Sequence, residues 1–308
     1  MFFPYRARIT LYRFPVITIV VSLLCLGLYT AQFLNKRALY ESTVTYCKRQ
    51  FDPEFRQALS RLAGTADVTN CTGLMLGLYF SKDEKADIGR LAKKIGHTPG
   101  VTNADQGSYY EEVLRDAYRD YRRTAPTDLT TRLWYAPESW SVPRMLSAAV
   151  AHGSWTHVVG NLLFFFAFAA TVEILLGPIL YVAVLIALAI GTHVVYSLAM
   201  FGHPQALPTL GLSGVVMGII ALFTYFLPRA QISCFLWLII FFRRFALPAW
   251  LIASWYIGWD VYGQLTGDGN SGVNMVAHLS GAAIGLSIGM IFFRAKRHWA
   301  QELVEEKD

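Results

Sequence analysis

Gly211-Leu212-Ser213-Gly214-Val215-Val216-Met217-Gly218 and Ala277-His278-Leu279-Ser280-Gly281-Ala282-Ala283-Ile284-Gly285 are apolar stretches in which small residues recur at intervals of four. Four residues is about one helical turn, so each set lies on a single helix face. Gly289 extends the second ridge by another turn. Ridges of this kind let two helix backbones approach closely in lipid. Ser213 adjoins the first ridge and His278 the second. If the ridges face each other, serine oxygen and imidazole come within hydrogen-bond reach, ~3 Å. Polar groups set inside spanning segments are costly, which makes both of them functional candidates.

The composition agrees with a membrane setting. Of 308 residues, 54% are hydrophobic and 16% charged, against about 25% charged in soluble domains. The net charge of +6 does not point to nucleic acid. Its basic residues recur at the ends of apolar segments, where they set topology. Cys25 and Cys234 lie in apolar surroundings and read as small hydrophobes. Cys47 and Cys71 fall in a polar stretch and could pair if it faces an oxidising compartment, but spacing alone does not fix their geometry. No Cys-x-x-Cys or His-Glu-x-x-His pattern is present, so no metal and no cofactor is implied.

Phe14 to Leu34 is a run of 21 residues without a charge, enough to cross ~30 Å of hydrocarbon. Its length, with no small-x-small cleavage pattern after it, predicts a retained anchor. Residues 1–13 precede it as a tail, and 35–145 form one large polar region with helix-like patterning. Five more spans are expected near 155–176, 178–201, 211–228, 245–263 and 272–293. Gly177-Pro178 turns the chain between the first two of these. Ile232 to Phe242 is an apolar run of 11 residues, too short to cross and expected in the membrane interface. The predicted fold is an all-α bundle of six transmembrane helices, with 146–293 as its core and 294–308 as a C-terminal tail.

Six spans put both termini on one side. Arg229, Arg243, Arg244, Arg294, Lys296 and Arg297 fall there with Arg6, Arg8 and Arg13, whereas loops 202–210 and 264–271 carry no Lys or Arg. That asymmetry predicts cytoplasmic termini, with the large polar region, Ser213 and His278 toward the outside.

A serine hydroxyl needs a base to become a useful nucleophile, and His278 can act as one. No aspartate is evidently placed as a third member. Asp260, near the outer end of the fifth span, is expected to meet water or a loop, so a Ser–His dyad is predicted. Acyl transfer also needs donors for the developing oxyanion. His157 and Asn161, four apart near the outer end of the second span, suit that task, with the Ser213 backbone N–H beside them. Each feature also has a plain structural reading. A serine in a membrane helix usually bonds its own backbone, glycine ridges alone mean helix packing, and His152 could simply stabilise the loop entering the second span. The coincidence of all of them near one membrane face is what favours chemistry.

These residues resemble the motifs of the rhomboid intramembrane serine proteases. Gly211-Leu212-Ser213-Gly214 is similar to the family's Gly-x-Ser-Gly, and Ala277-His278-x-x-Gly281-x-x-x-Gly285 to its base motif. His157-x-x-x-Asn161 is similar to its oxyanion motif, and His152 stands at a further family histidine. Glu173 with Gly177 resembles a family Glu-x-x-x-Gly, and Leu247-Pro-Ala-Trp-Leu251 is also family-like. The resemblance, clearest over 140–293, implies a Ser213–His278 dyad without metal or cofactor. It also implies transmembrane protein substrates cut near the outer interface, at small residues in locally destabilised helices. Two departures stand out. Arg144 follows Pro143, with Trp140 nearby, where the family often has Trp-Arg, which implies different anchoring of the first loop. Met217 stands where many members have an aromatic that stacks on the base, which implies altered orientation or rate.

In this reading the lids over the site are loops 202–210 and 267–272, with Gly267, Gly269 and Gly272 as hinges. Trp255, Tyr256 and Trp259 line either a side entrance for substrate or simply an interfacial belt. The short N-terminus points to a Gram-negative inner membrane. The rivals are a non-cutting relative that binds membrane clients and a transporter with a histidine proton path. The latter is disfavoured by the absence of an internal repeat.

Overall fold

The computed structural model describes residues 2–7, 13–49, 52–96, 104–203, 206–238, 241–266 and 273–305. The chain divides into two compact units, one of 1–30 with 130–308 and the other of 31–129. In chain order the elements are β1 (Phe2–Ala7), α1 (Val16–Cys47), α2 (Pro53–Ala63), α3 (Val68–Tyr79), α4 (Glu84–Gly96), α5 (Ala104–Thr124) and α6 (Leu129–Leu133). After a short 3-10 turn at Pro137–Ser139 come α7 (Val142–Val150), α8 (Trp155–Leu176), α9 (Pro178–Ala199) and α10 (Ser213–Phe226). The chain continues through β2 (Gln231–Leu238), β3 (Phe241–Pro248), α11 (Ala249–Thr266), α12 (Met275–Phe292) and α13 (Arg294–Glu305).

Among the described residues, α1, α8, α9 and α12 are long and apolar enough to cross a membrane. α10 is apolar but shorter. The first expected span, 14–34, is the leading part of a helix that runs on to Cys47.

The first unit is built around α10, whose residues 214–223 are all buried. The glycine ridges do face each other. A Cβ added at Gly281 would lie 2.9 Å from the carbonyl carbon of Gly214, and one at Gly285 2.7 Å from that of Gly218. Carbon atoms in good contact are ~3.5–4.0 Å apart. The two backbones therefore touch directly, and only glycine leaves room. Leu188 and Thr192 of α9 close on the same face of α10. Phe168 of α8 meets Phe223 of α10 edge-on at 5.2 Å.

Glu173 is buried near the end of α8. It accepts hydrogen bonds from the backbone N–H groups of Ile17 (2.9 Å) and Thr18 (2.8 Å), and from the Thr18 hydroxyl (2.7 Å). The first N–H groups of a helix have no partner within it, and this carboxylate supplies one for α1 and complements its dipole. Gly177, at φ +79°, donates its N–H to the Glu173 carbonyl (2.8 Å) and turns the chain into Pro178.

The all-α expectation needs correcting at one place. The run 232–242 is not a lone interfacial segment: it holds most of β2 and the start of β3 of an antiparallel hairpin, and β3 also takes 245–248, the first residues of the expected span 245–263, which begins as helix only at Ala249. β1 adds to the hairpin's edge to give the sheet order β1-β2-β3. Aromatic and β-branched residues favour a pleated, half-buried surface, and Ile232 and Cys234 are fully buried there. Pairing with β1 also satisfies one otherwise open edge of the hairpin. The sheet passes directly into α11. Ala249 N–H donates to Ala230 O and Trp250 N–H to Pro228 O, both at 3.0 Å.

The second unit is a small helical cluster. Cys47 and Cys71 form a disulfide with their Cα atoms 5.8 Å apart, a pairing that the sequence left open. Around it pack Phe55, Leu59, Met75, Ile88, Ile95 and Leu114. Asp52 and Asp67 cap α2 and α3 by accepting from Glu54 N–H and Asn70 N–H, as short polar side chains do at helix starts.

Candidate active site

Ser213 is the first residue of α10. Two residues earlier the chain turns through Gly211 at φ +126°, and the Gly211 N–H donates to Ala148 O of α7 at 2.8 Å. A Cβ at Gly211 would fall 2.7 Å from the His157 ring and 3.6 Å from Asn161 Nδ2. Glycine is thus required twice over, for its backbone angle and because the imidazole of His157 leaves no room for a Cβ in the chain leading to Ser213.

α8 begins at Ser154, whose hydroxyl accepts from the His157 N–H (3.1 Å). This cap fixes the turn from which His157 and Asn161 project. His152, just before it, is fully buried. Its Nδ1 lies 3.2 Å from Val150 O and its Nε2 3.1 Å from Asn161 Nδ2. A carbonyl can only accept, so Nδ1 carries the proton and Nε2 accepts from the amide. His152 therefore holds Asn161 by one amide N–H and leaves the second one for another acceptor. The rings of His152 and His157 meet edge-on at 5.1 Å.

His278 lies in the first turn of α12. Asn274 caps that helix by accepting from Ala277 N–H, and its amide donates to Thr209 Oγ1, both at 3.0 Å. Thr209 is in turn bridged to Tyr135 by two backbone hydrogen bonds, of 2.9 and 2.8 Å. The start of α12 is thus pinned to the segment that leads into α10.

Asp260 does not meet water or a loop, as the sequence had suggested. It is 8% exposed, and its Oδ2 lies 3.0 Å from His278 Nδ1. An ionised carboxylate is an acceptor, so Nδ1 carries the proton and Nε2 keeps its lone pair. A signal for this was present in the sequence. Asp260 shares a helical stripe with Ala249, Ile252, Ala253 and Gly263, all but Ile252 small and all buried in the structure. Trp255 and Trp259 lie off this stripe, 57% and 64% exposed.

Ser154, His157, Asn161, His193, Ser213 and His278 all line one cavity of about 880 Å³. His193, on α9, was not singled out from the sequence. Its Nδ1 is bound to Ala189 O at 2.6 Å, and its ring packs edge-on against Tyr135. Met217 is buried in the core cluster around α10. Arg144, at the departure noted above, donates to Thr131 O at 3.0 Å. Gly267, Gly269 and Gly272, the expected hinges, lie outside the described residues, as do 204–205 of the other loop.

A family model, the rhomboid domain, matches residues 139–295, just over half of the chain. The chain belongs to the rhomboid family. It is also similar to RHOMBOID-like protein 12, mitochondrial, of Arabidopsis thaliana, with 29% identity over 154 residues. That match covers 46% of this chain and 43% of the plant protein, so the chain spans less than half the length of this relative. No solved structure matches. This rhomboid is an integral membrane protein, and the matched residues hold every side chain named at the cavity.

Proposed function

We propose that this rhomboid is an intramembrane serine endopeptidase that cuts transmembrane segments of other membrane proteins. The observation that carries the reading is the lining of one cavity by Ser213 and His278, at the start of two helices locked together by glycine. Ser213 Oγ attacks the peptide carbonyl while His278 Nε2 takes its proton. The Ser213 N–H, His157 and the second N–H of Asn161 hold the oxyanion. His278 then protonates the leaving amine, the C–N bond breaks, and water resolves the acyl-enzyme.

Six helices, α1 and α8–α12, cross the bilayer in this reading, and the paired β strands sit at its cytoplasmic edge. With 14 residues, α10 is ~21 Å long. If its inner end meets the membrane boundary, Ser213 lies ~9 Å beneath the outer one, given ~30 Å of hydrocarbon. The cavity then serves as the water path. The arginine and lysine asymmetry supports cytoplasmic termini. The Cys47–Cys71 disulfide supports an oxidising compartment for the polar unit, which is consistent with a bacterial inner membrane.

The test is a fluorophosphonate probe applied to the purified protein, alongside Ser213→Ala and His278→Ala, with a quenched transmembrane peptide as substrate. Labelling and cleavage by the wild type alone are expected. A folded wild type that neither labels nor cuts would favour a rhomboid that binds membrane clients without cleaving them.

A further inference from the structure

We infer that Asp260 is a positioning residue for His278, so that the site works as a Ser–His–Asp set and not as a two-residue dyad. The inference rests on the protease reading above and adds to it a third group from a different helix, α11.

The geometry carries the argument. The Asp260 carboxylate is buried and lies 3.0 Å from His278 Nδ1. A buried carboxylate without a donor is costly, so the pair is locked together from both sides. Asp260 accepts the hydrogen bond from His278 Nδ1–H throughout and takes up no proton itself. Its first effect is on the tautomer: with Nδ1 protonated, Nε2 is the basic nitrogen of His278. Its second effect comes as the serine proton moves to Nε2. The imidazolium that forms then faces a carboxylate at hydrogen-bond distance, where the low-dielectric surroundings make the attraction count. Among the described residues, the other titratable groups that line the cavity with His278 are His157 on α8 and His193 and Tyr196 on α9. None of them carries a negative charge near neutral pH. Asp260 thus offsets the charge that acylation creates, and its bond to Nδ1 also orients the ring.

Packing alone would give a different pattern of variants. Asn is nearly isosteric with Asp, so a purely structural role predicts that Asp260→Asn is the mildest change. Positioning predicts the reverse. An asparagine amide can donate to Nδ1, which favours the tautomer with a proton on Nε2 and no lone pair for the serine. Asp260→Ala leaves the tautomer free, and Asp260→Glu keeps the carboxylate.

The experiment measures kcat and KM on a transmembrane peptide, and the rate of fluorophosphonate labelling, for the full-length wild type and the three variants. Thermal unfolding is followed in parallel. Expected is a fall in kcat of ~10²-fold or more for Asp260→Asn, with KM within about twofold because Asp260 does not line the cavity. Asp260→Ala should be less impaired than Asp260→Asn, and Asp260→Glu should recover part of kcat. An Asn variant that keeps kcat within about threefold of wild type would overturn the inference. So would losses in all three variants that simply follow their loss of thermal stability. If Asp260→Asn does not fold, the Ala-to-Glu comparison decides: Glu must exceed Ala in kcat. A wild type that neither cuts nor labels would instead sink the protease reading itself.

Discussion

Gly281→Ala is the sharpest test of the helix pair that carries Ser213 and His278. The new methyl group would sit 2.9 Å from the Gly214 carbonyl carbon and 3.3 Å from its Cα. These are backbone atoms, so no side-chain rotation relieves the clash. To restore ~3.5 Å the helices must part by at least ~0.6 Å. Overpacking of this kind costs ~1–3 kcal/mol. The displacement falls one turn from His278 and next to Ser213. Since a ~1 Å misplacement can cost ~10²-fold in rate, a fall of ~10-fold or more in kcat and in fluorophosphonate labelling is expected, together with a lower Tm. Gly160→Ala on α8 and Gly258→Ala on α11 are the controls. At both positions a methyl group meets nothing within 4 Å, and replacing glycine in a helix gains ~0.5–1 kcal/mol. If Gly281→Ala matches these controls in both Tm and labelling rate, the backbone contact between α10 and α12 is not what holds the site.

Three further outcomes follow from other parts of the molecule. Gly211→Ala meets both a left-handed backbone angle and the His157 ring 2.7 Å away; backbone strain alone costs ~1–3 kcal/mol. It should abolish labelling, whereas Gly153→Ala, with its nearest neighbour at 3.9 Å, should not. Reducing Cys47–Cys71, which are 24 residues apart, should destabilise the polar unit by ~3.5 kcal/mol on the loop-entropy model; a proteolysis midpoint unchanged by reductant would contradict this. In the same unit, burial pushes the Tyr118 phenol up to about 12. Above the ordinary value of ~10 the unfolded chain loses this proton first, so stability should fall as pH rises from ~10 toward 12. Tyr118→Phe should lessen that fall, and an identical alkaline unfolding curve would refute it.

Much of the architecture could be read in advance because membrane helices leave strong marks. The ridge at Gly214 and Gly218 and the one at Gly281 and Gly285 announced that two backbones touch. The spacing of His157 and Asn161 announced a shared face. The sheet is not legible from the length of 232–242. Eleven residues exclude a span, but length does not reveal that Phe2–Ala7 supplies a pairing partner more than 220 residues away. The place of Asp260 is legible in the stripe of buried residues it shares with Ala249, Ile252, Ala253 and Gly263, not in its distance from the membrane boundary. That His152 clamps Asn161 depends on a loop turn for which the sequence carries no periodic signal.

The junction between β3 and α11 bears on how this molecule can open. The helix is fastened at Ala249 and Trp250 by backbone hydrogen bonds to the segment before β2. A rod clamped at one end moves most at the other. Asp260 is 11 residues along it, ~16.5 Å from the clamp at 1.5 Å per residue. A tilt of ~5° therefore carries Asp260 sideways by ~1.4 Å, enough to break a hydrogen bond. A swing of α11 that opens its contact with α8, where Phe164 and Tyr256 meet edge-on, would therefore also shift Asp260 against the imidazole of His278.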